Sequence, residues 1–336
     1  MTSRVSLEKI KGMISKAENP LYLYDDDADG LCSFLLLKRR FKKGDGMPVK
    51  TAPKLGISFL ENIKAHSFDL LVILDKPIVE QELIDKIDKP IVYIDHHPIQ
   101  DLKGIYYFNP RMKNKKDSSA TTKICHDIVK QDEWLAAIGI IADWQLPRFL
   151  KNLEKKYPDL IENTKEPPEI MFRQKFGKLT RIFSAALKGN SAEVKKCVSV
   201  LEQMESPYDV LNNPILNEVF EKNYKIYYEL LDRALKEKHE GNLLVFSYAS
   251  DKFSFTGELA NELLYKFPKG YIIVAREKDN EMRLSVRGDN ARKCLEKALI
   301  GINGYGGGHD RACGGAIKKH DFTKFLDNFR SAIRGE

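Results

Sequence analysis

Hydrophobic positions in the first hundred residues fall into short, nearly unbroken runs. Residues 20–24 (PLYLY), 70–74 (LLVIL) and 91–94 (IVYI) each pass straight into a charged turn. Runs of this length, without polar alternation, fit parallel strands covered on both faces by crossover helices. Between the first two lies 31–41 (LCSFLLLKRRF), apolar at first and basic at its close, which suits a helix. Strand and helix signals alternating in this way predict an α/β fold with an open, mostly parallel N-terminal sheet and flanking helices. Residues 118–130 and 133–144 read as two further helices, with Ser118 and Ser119 placed to cap the first. From about 148 to 240 the strand signals stop. Amphipathic Lys/Glu-rich segments such as 192–205 and 217–239 take over, punctuated by Pro167, Pro168, Pro207 and Pro214. Strand patterns return at 243–247, 270–275 and 282–287, around a helical 257–267, and a glycine-rich stretch follows at 301–315. The expected organisation is therefore an α/β domain over 1–150, a helical connector over 151–240 and a smaller α/β domain over 241–336.

Composition narrows the class. Of 336 residues, 43% are hydrophobic and 10% aromatic, enough for real cores and against wholesale disorder. No apolar run approaches the roughly 20 residues of a membrane span. The N-terminal MTSRVSLEKIKGM lacks an apolar signal core, so a cytoplasmic location without a membrane partner is expected. Five cysteines (32, 125, 197, 294 and 313) show no CxxC spacing, which speaks against structural zinc or a disulfide framework. The formal net charge of +7 permits a nucleic-acid partner without demanding one.

The densest chemistry is Asp25-Asp-Asp-Ala-Asp-Gly30, directly after the first strand. Four carboxylates in five residues repel one another, and a divalent cation relieves that conflict. Alternation would set Asp25, Asp27 and Asp29 on one side of an extended segment, with Gly30 easing the entry to a helix. A solvated acidic turn explains the same residues. A calcium loop shares the DxDxDG fragment, but the bidentate Glu at its twelfth position is missing. Repetition adds weight: Asp75 follows the second run, and Asp95-His96-His97 follows the third. Strand ends of an open parallel sheet are where ligands gather. Asp143 stands in the otherwise apolar IGIIADW, either as a further site acid or as a buried, hydrogen-bonded carboxylate.

Taken together, DxDADG (25–30), Asp75, Asp95-His96-His97 and Asp143 resemble the motifs of the DHH phosphoesterase superfamily. Gly306-Gly307-Gly308-His309, with Arg311 and Gly314-Gly315, is similar to the glycine-rich motif of the DHH-associated second domain. The resemblance covers both ends of the chain and leaves only 150–240 without a motif. It implies two divalent ions, manganese or magnesium. Asp25, Asp27 and Asp75 would hold one, and Asp29, Asp75, His96 and Asp143 the other, with Asp75 bridging. Carboxylate oxygens with one imidazole suit those hard cations, and an ion pair ~3.5–4 Å apart serves phosphoryl chemistry. His97 would face the scissile phosphate while Asp95 orients the histidines. Gly306, Gly307, Gly308, His309, Arg311 and Arg287 would bind substrate phosphates, the glycines through backbone N–H groups. Many members begin the first motif with His. Asp25 in that place follows the RecJ-type exonuclease branch, in a compact form of the archaeal kind.

The expected activity is release of mononucleotides from single-stranded DNA or RNA. Close alternatives are an oligonucleotide nanoRNase and a cyclic-dinucleotide or phosphoadenosine phosphatase. A different class is a non-catalytic replication scaffold, since some relatives bind replisome partners. Tyr305 and Phe255 are read either as base-stacking platforms or as core, and Ser118, Ser119 and Thr121 either as phosphate contacts or as caps. Cys32 and Cys125 read as small buried residues, and Lys113–Lys116 as a solvated loop.

Overall fold

The computed structural model describes residues 3–50, 54–162, 164–249 and 254–335. They form two compact units, 1–220 and 221–336, and the helix Pro214–Leu235 runs from the first into the second. The first unit holds strands β1 (Ser3–Arg4), β2 (Pro20–Asp25), β3 (Asp45–Val49), β4 (Lys54–Leu55), β5 (Leu70–Leu74), β6 (Ile78–Val79), β7 (Ile91–Ile94) and β8 (Tyr106–Phe108). Six of them make one sheet in the order β1-β8-β7-β5-β2-β3, and every pair in it is parallel. β4 and β6 pair separately.

The apolar runs form the middle of the sheet because both of their faces are covered. Leu21, Leu23, Leu71, Ile73, Ile91, Tyr93 and Tyr107 pack on one face with Leu83, Ile84, Leu102 and Ile105. On the other face, Tyr24 stacks on Phe34 of the helix Ala28–Phe41, with ring centroids 4.8 Å apart. That helix also packs on the helices Thr121–Val129 and Glu133–Ala142. β3 carries Pro48 at the sheet edge, where its missing N–H does no harm.

The segment expected as a connector is helical, and most of it belongs to the first unit. Its helices are Leu150–Lys156, Pro167–Arg173, Phe176–Ala186, Ser191–Glu202 and Pro207–Asn212. Asn190 and Ser206 close capping boxes with Glu193 and Asp209.

The second unit is a mixed sheet with helices. Its strands are β9 (Leu243–Ala249), β10 (Tyr271–Lys278), β11 (Glu281–Arg287), β12 (Gly304–Gly308) and β13 (Ala312–Lys318), in the order β12-β13-β11-β10-β9. Only β9 and β10 run parallel. The helices Ala291–Ala298 and Phe322–Arg334 contribute Leu295, Phe325 and Phe329 to its core. The glycine-rich stretch thus forms a β-hairpin.

Candidate functional site

β2, β5, β7 and β8 are parallel neighbours, so their carboxyl ends share one edge. Asp25 is the last residue of β2, Asp27 the N-cap of the helix Ala28–Phe41, and Asp29 lies in that helix's first turn. The expected extended segment with three carboxylates on one side is therefore replaced by strand end, cap and first turn, and the helix begins ahead of Leu31, at Ala28. Asp27 Oδ1 accepts from the Gly30 N–H at 2.9 Å. Gly30 is needed here because a Cβ would lie 2.5 Å from the Asp25 carbonyl oxygen. Asp75 follows β5 with φ at 60°, left-handed backbone that costs a non-glycine residue about 1 kcal/mol or more and often marks a functional site.

Beyond β7 the two histidines take different partners. His97 Nδ1 donates to Asp95 Oδ1 at 2.8 Å, leaving Nε2 for other contacts. Asp95 is fully buried, and its Oδ2 accepts from the His97 N–H, Asn109 Nδ2 and the Tyr107 hydroxyl. His96 Nδ1 donates to the Ser118 carbonyl at 3.1 Å, while its Nε2 lies 3.4 Å from Asp75 Oδ1. The Asp95 side chain thus fixes His97 directly. His96 is set by Ser118 and by Arg111, whose Nε donates to the His96 carbonyl at 2.7 Å.

Asp29, 3% exposed, is gripped by the start of the helix Thr121–Val129. Its two carboxylate oxygens accept the Thr121 and Thr122 N–H groups at 2.9 and 2.7 Å. These are amides that a helix leaves without internal partners. Thr121 Oγ1 also donates to Asp75 Oδ1 at 2.8 Å. Thr121 therefore holds the acids of this chain, and Ala120, not a serine, is the N-cap. Asp143 is the C-cap of the helix Glu133–Ala142, just outside the apolar run that contains it in sequence. Its Oδ2 lies 3.7 Å from His96 Nδ1 and accepts from Gln145 Nε2 at 2.8 Å.

Ligand atoms of Asp29, His96 and Asp143 lie within 4.8 Å of one another, as do those of Asp75, His96 and His97. Asp25 and Asp27 belong to neither group. Burial first, then the neighbouring carboxylates, push Asp75 and Asp27 well above the usual aspartate range. Burial opposes protonation of His96, but Asp143, Asp29 and Asp95 outweigh it and raise the imidazole. Asp143 is pushed up to about 7 by burial and then by Asp29, against the lowering effect of His96 and Gln145. Crowded, buried oxygen donors with one well-oriented imidazole fit a hard divalent cation.

The Asp143 shift sets a pH dependence. An unfolded aspartic acid titrates near ~4, so the fold binds this proton more tightly than the unfolded chain does. The associated stability is full below about pH 4 and lost as pH climbs through about 7. Asp143→Asn is expected to raise the metal-free melting temperature at about pH 8 by about 2–4 °C, the effect of ~1 kcal/mol in a chain of this size class. The gain should vanish near pH 4, and manganese should stabilise the variant less than wild type. Melting scans in chelator and in manganese read both effects; a variant no more stable than wild type at the higher pH contradicts the assignment.

Several contacts of this site carry no sequence signal of their own. Lys76 is fully buried, with Nζ 2.6 Å from Asp25 Oδ1. A lysine after a strand reads as a solvated turn. Thr121 and Thr122 read as helix-start residues. Asn109 and Arg111 follow β8, a three-residue strand too short to show a pattern, although its Asn-Pro-Arg end continues the series of polar strand ends.

In the second unit, β11 and the β12–β13 turn bring Arg287, Gly308, His309 and Arg311 to one end of the sheet. Arg287 is half-buried. Its guanidinium donates to Asn261 Oδ1 and to the Val286 and Cys313 carbonyls, none of them a carboxylate. Burial lowers it to about 10. Arg311 is exposed and pairs with Asp289 at 2.9 Å. Gly306 and Gly308 are explained by packing, because added Cβ atoms would meet Leu295 and the Ala312 carbonyl oxygen. Gly307 has open space around it. All three glycines belong to β12, the edge strand of the second sheet. Tyr305 is 74% exposed on that strand, whereas Phe255 is core, 1% exposed. All five cysteines are buried and free.

A model of the DHH family, N-terminal domain, matches residues 22–160, and a DHHA1 domain model matches 240–335. Among solved structures, RecJ in complex with Mn2+ from Thermus thermophilus is similar at 16% identity and a TM-score of 0.70. The match covers 98% of this chain and 55% of that one, so this chain spans just over half of that RecJ. Exonuclease RecJ bound to manganese matches at 16% identity and 0.65, over 98% and 94% of the two chains. A pGpG-specific phosphodiesterase from Vibrio cholerae matches at 14% and 0.54, over 94% and 99%. At these identities the likeness speaks for the fold. No curated protein matches the sequence. Among the described residues, no helix is long and apolar enough to cross a membrane.

Proposed function

We infer, from the premise that this chain belongs to the DHH family and carries a DHHA1 domain behind its DHH domain, that it is a metal-dependent phosphodiesterase releasing mononucleotides from single-stranded DNA or RNA. The observation that carries the reading is that His96 joins two groups of converging ligand atoms, one with Asp29 and Asp143 and one with Asp75 and His97, beside a histidine locked by a buried aspartate. A divalent ion among Asp29, Asp75, His96 and Asp143, manganese before magnesium, would supply a polarised water and neutralise charge on a phosphate. The chain's own part is positioning. Thr121 and Thr122 fix Asp29, Ser118 fixes the His96 ring, and Asp95 holds the His97 proton on Nδ1 so that Nε2 faces the scissile phosphate.

In the DHHA1 domain, the half-buried Arg287 has neutral oxygens as its hydrogen-bond partners, which suits a substrate phosphate as its counter-ion. Gly307, near His309 and Arg311 in the chain, has open space where a side chain would stand. These residues are proposed to bind substrate phosphates, and a cytoplasmic location and a replisome partner are proposed with them.

Hydrolysis of end-labelled single strands, from dinucleotides to long oligomers, in manganese and in chelator, tests the assignment. Mononucleotide release that persists on long strands and stops in chelator is expected. Cleavage of dinucleotides far faster than long strands moves the chain to the short-oligonucleotide phosphodiesterases, a reading the fold shared with the pGpG-specific enzyme favours. Absence of hydrolysis on every phosphodiester points to a scaffold.

A further inference from the structure

Lys76 is a cation buried where the family resemblance calls for a metal. Of the three residues implied for one of the two ions, Asp25 gives Oδ1 to Lys76 Nζ at 2.6 Å and to the Asp26 N–H at 3.0 Å. Asp27 turns its Oδ1 to the helix cap at Gly30. Asp75 accepts the Thr121 hydroxyl and faces His96. Asp25 and Asp27 stand outside both groups of converging ligand atoms, whereas Asp29, His96 and Asp143 form one of those groups and Asp75 joins His96 in the other. The topology explains the lysine's position. Tyr24 and Leu74 are register partners on the adjacent strands β2 and β5, so Asp25 and the Asp75-Lys76 pair leave the sheet side by side. Lys76 is then turned inward, 0% exposed, with its carbonyl held by the Tyr93 hydroxyl. A lysine head group has donors and no acceptor, so it satisfies a carboxylate and repels a second cation brought to the same oxygen.

We propose that Lys76 is a built-in cation that takes the place of one of the two expected metal ions, so that this chain holds a single divalent ion among Asp29, Asp75, His96 and Asp143. The idea rests on the metal-dependent reading above and changes the ion count, not the reaction class. A single ion must then serve both to polarise water and to neutralise phosphate charge, and the lysine keeps Asp25 neutralised without exchanging with solvent.

The test counts metal on the full chain. The protein is saturated with manganese, freed of excess, and analysed for metal per chain, and its electron paramagnetic resonance spectrum is recorded. Wild type should carry one manganese with an isolated-ion spectrum. Lys76→Met, of similar length and uncharged, should take up a second ion and give the exchange-coupled spectrum of a close pair. Two ions in wild type overturn the proposal and leave the phosphodiesterase reading standing. One ion in a Lys76→Met variant whose circular dichroism matches wild type also overturns it. No bound manganese in wild type removes the metal-dependent reading itself, and this proposal with it. The wild-type count decides even if the variant does not fold.

Discussion

Asp75→Asn is expected to lose hydrolysis of single-stranded substrate by roughly 10³-fold or more, and to lose the thermal stabilisation that manganese gives wild type. Asparagine is the informative replacement. Asp75 sits at φ 60°, a conformation that asparagine tolerates better than alanine, so the strand end keeps its path. The amide oxygen can still accept the Thr121 hydroxyl that Asp75 Oδ1 accepts. What disappears is the negative charge at the residue common to both implied ion sets. Initial rates on an end-labelled strand, with melting curves at rising manganese, measure the two losses. A variant within tenfold of wild type in rate would remove Asp75 from the centre of the chemistry.

His97→Gln tests the proposed separation of a reacting group from the metal-holding group. A drop in kcat of about 10²–10⁴-fold is expected, with the manganese-induced melting shift retained. The reason is that the two histidines have different partners. His96 lies against Asp75 and Asp143, while His97 Nδ1 donates a hydrogen bond to the buried Asp95. Asp95→Asn should cost less, about 10–100-fold, because it disturbs the ring's orientation and leaves the ring itself in place. Single-turnover rates paired with the melting shift read the distinction. If His97→Gln abolishes the shift, His97 is a metal ligand and its place at the phosphate is wrong.

Much of the first unit could be read from the chain because central parallel strands leave a distinctive trace. Residues 20–24, 70–74 and 91–94 are apolar throughout, since helices and loops cover both faces. The acids and histidines that follow them fall at one edge for the same topological reason. The short strands β1 and β8 escape that logic, being too brief to carry a pattern. The glycine hairpin escapes it too, because a strand of Gly-Tyr-Gly-Gly-Gly has almost no side chains with which to show a period.

By itself, the sequence determined the central strands of the first unit, where they end and which acids wait there, because burial on both faces leaves an unbroken apolar run. Only the tertiary structure decided the partners. Asp29 is held by amides 92 and 93 residues away, and Asp25 is matched to a lysine 51 residues on. Hydropathy records how deeply a side chain is buried, not which neighbour it meets. Lys76 appears in the sequence as a charged residue after a strand and in the fold as a buried cation paired with Asp25. That difference arises from sheet order and helix packing, which bring distant segments to the same edge.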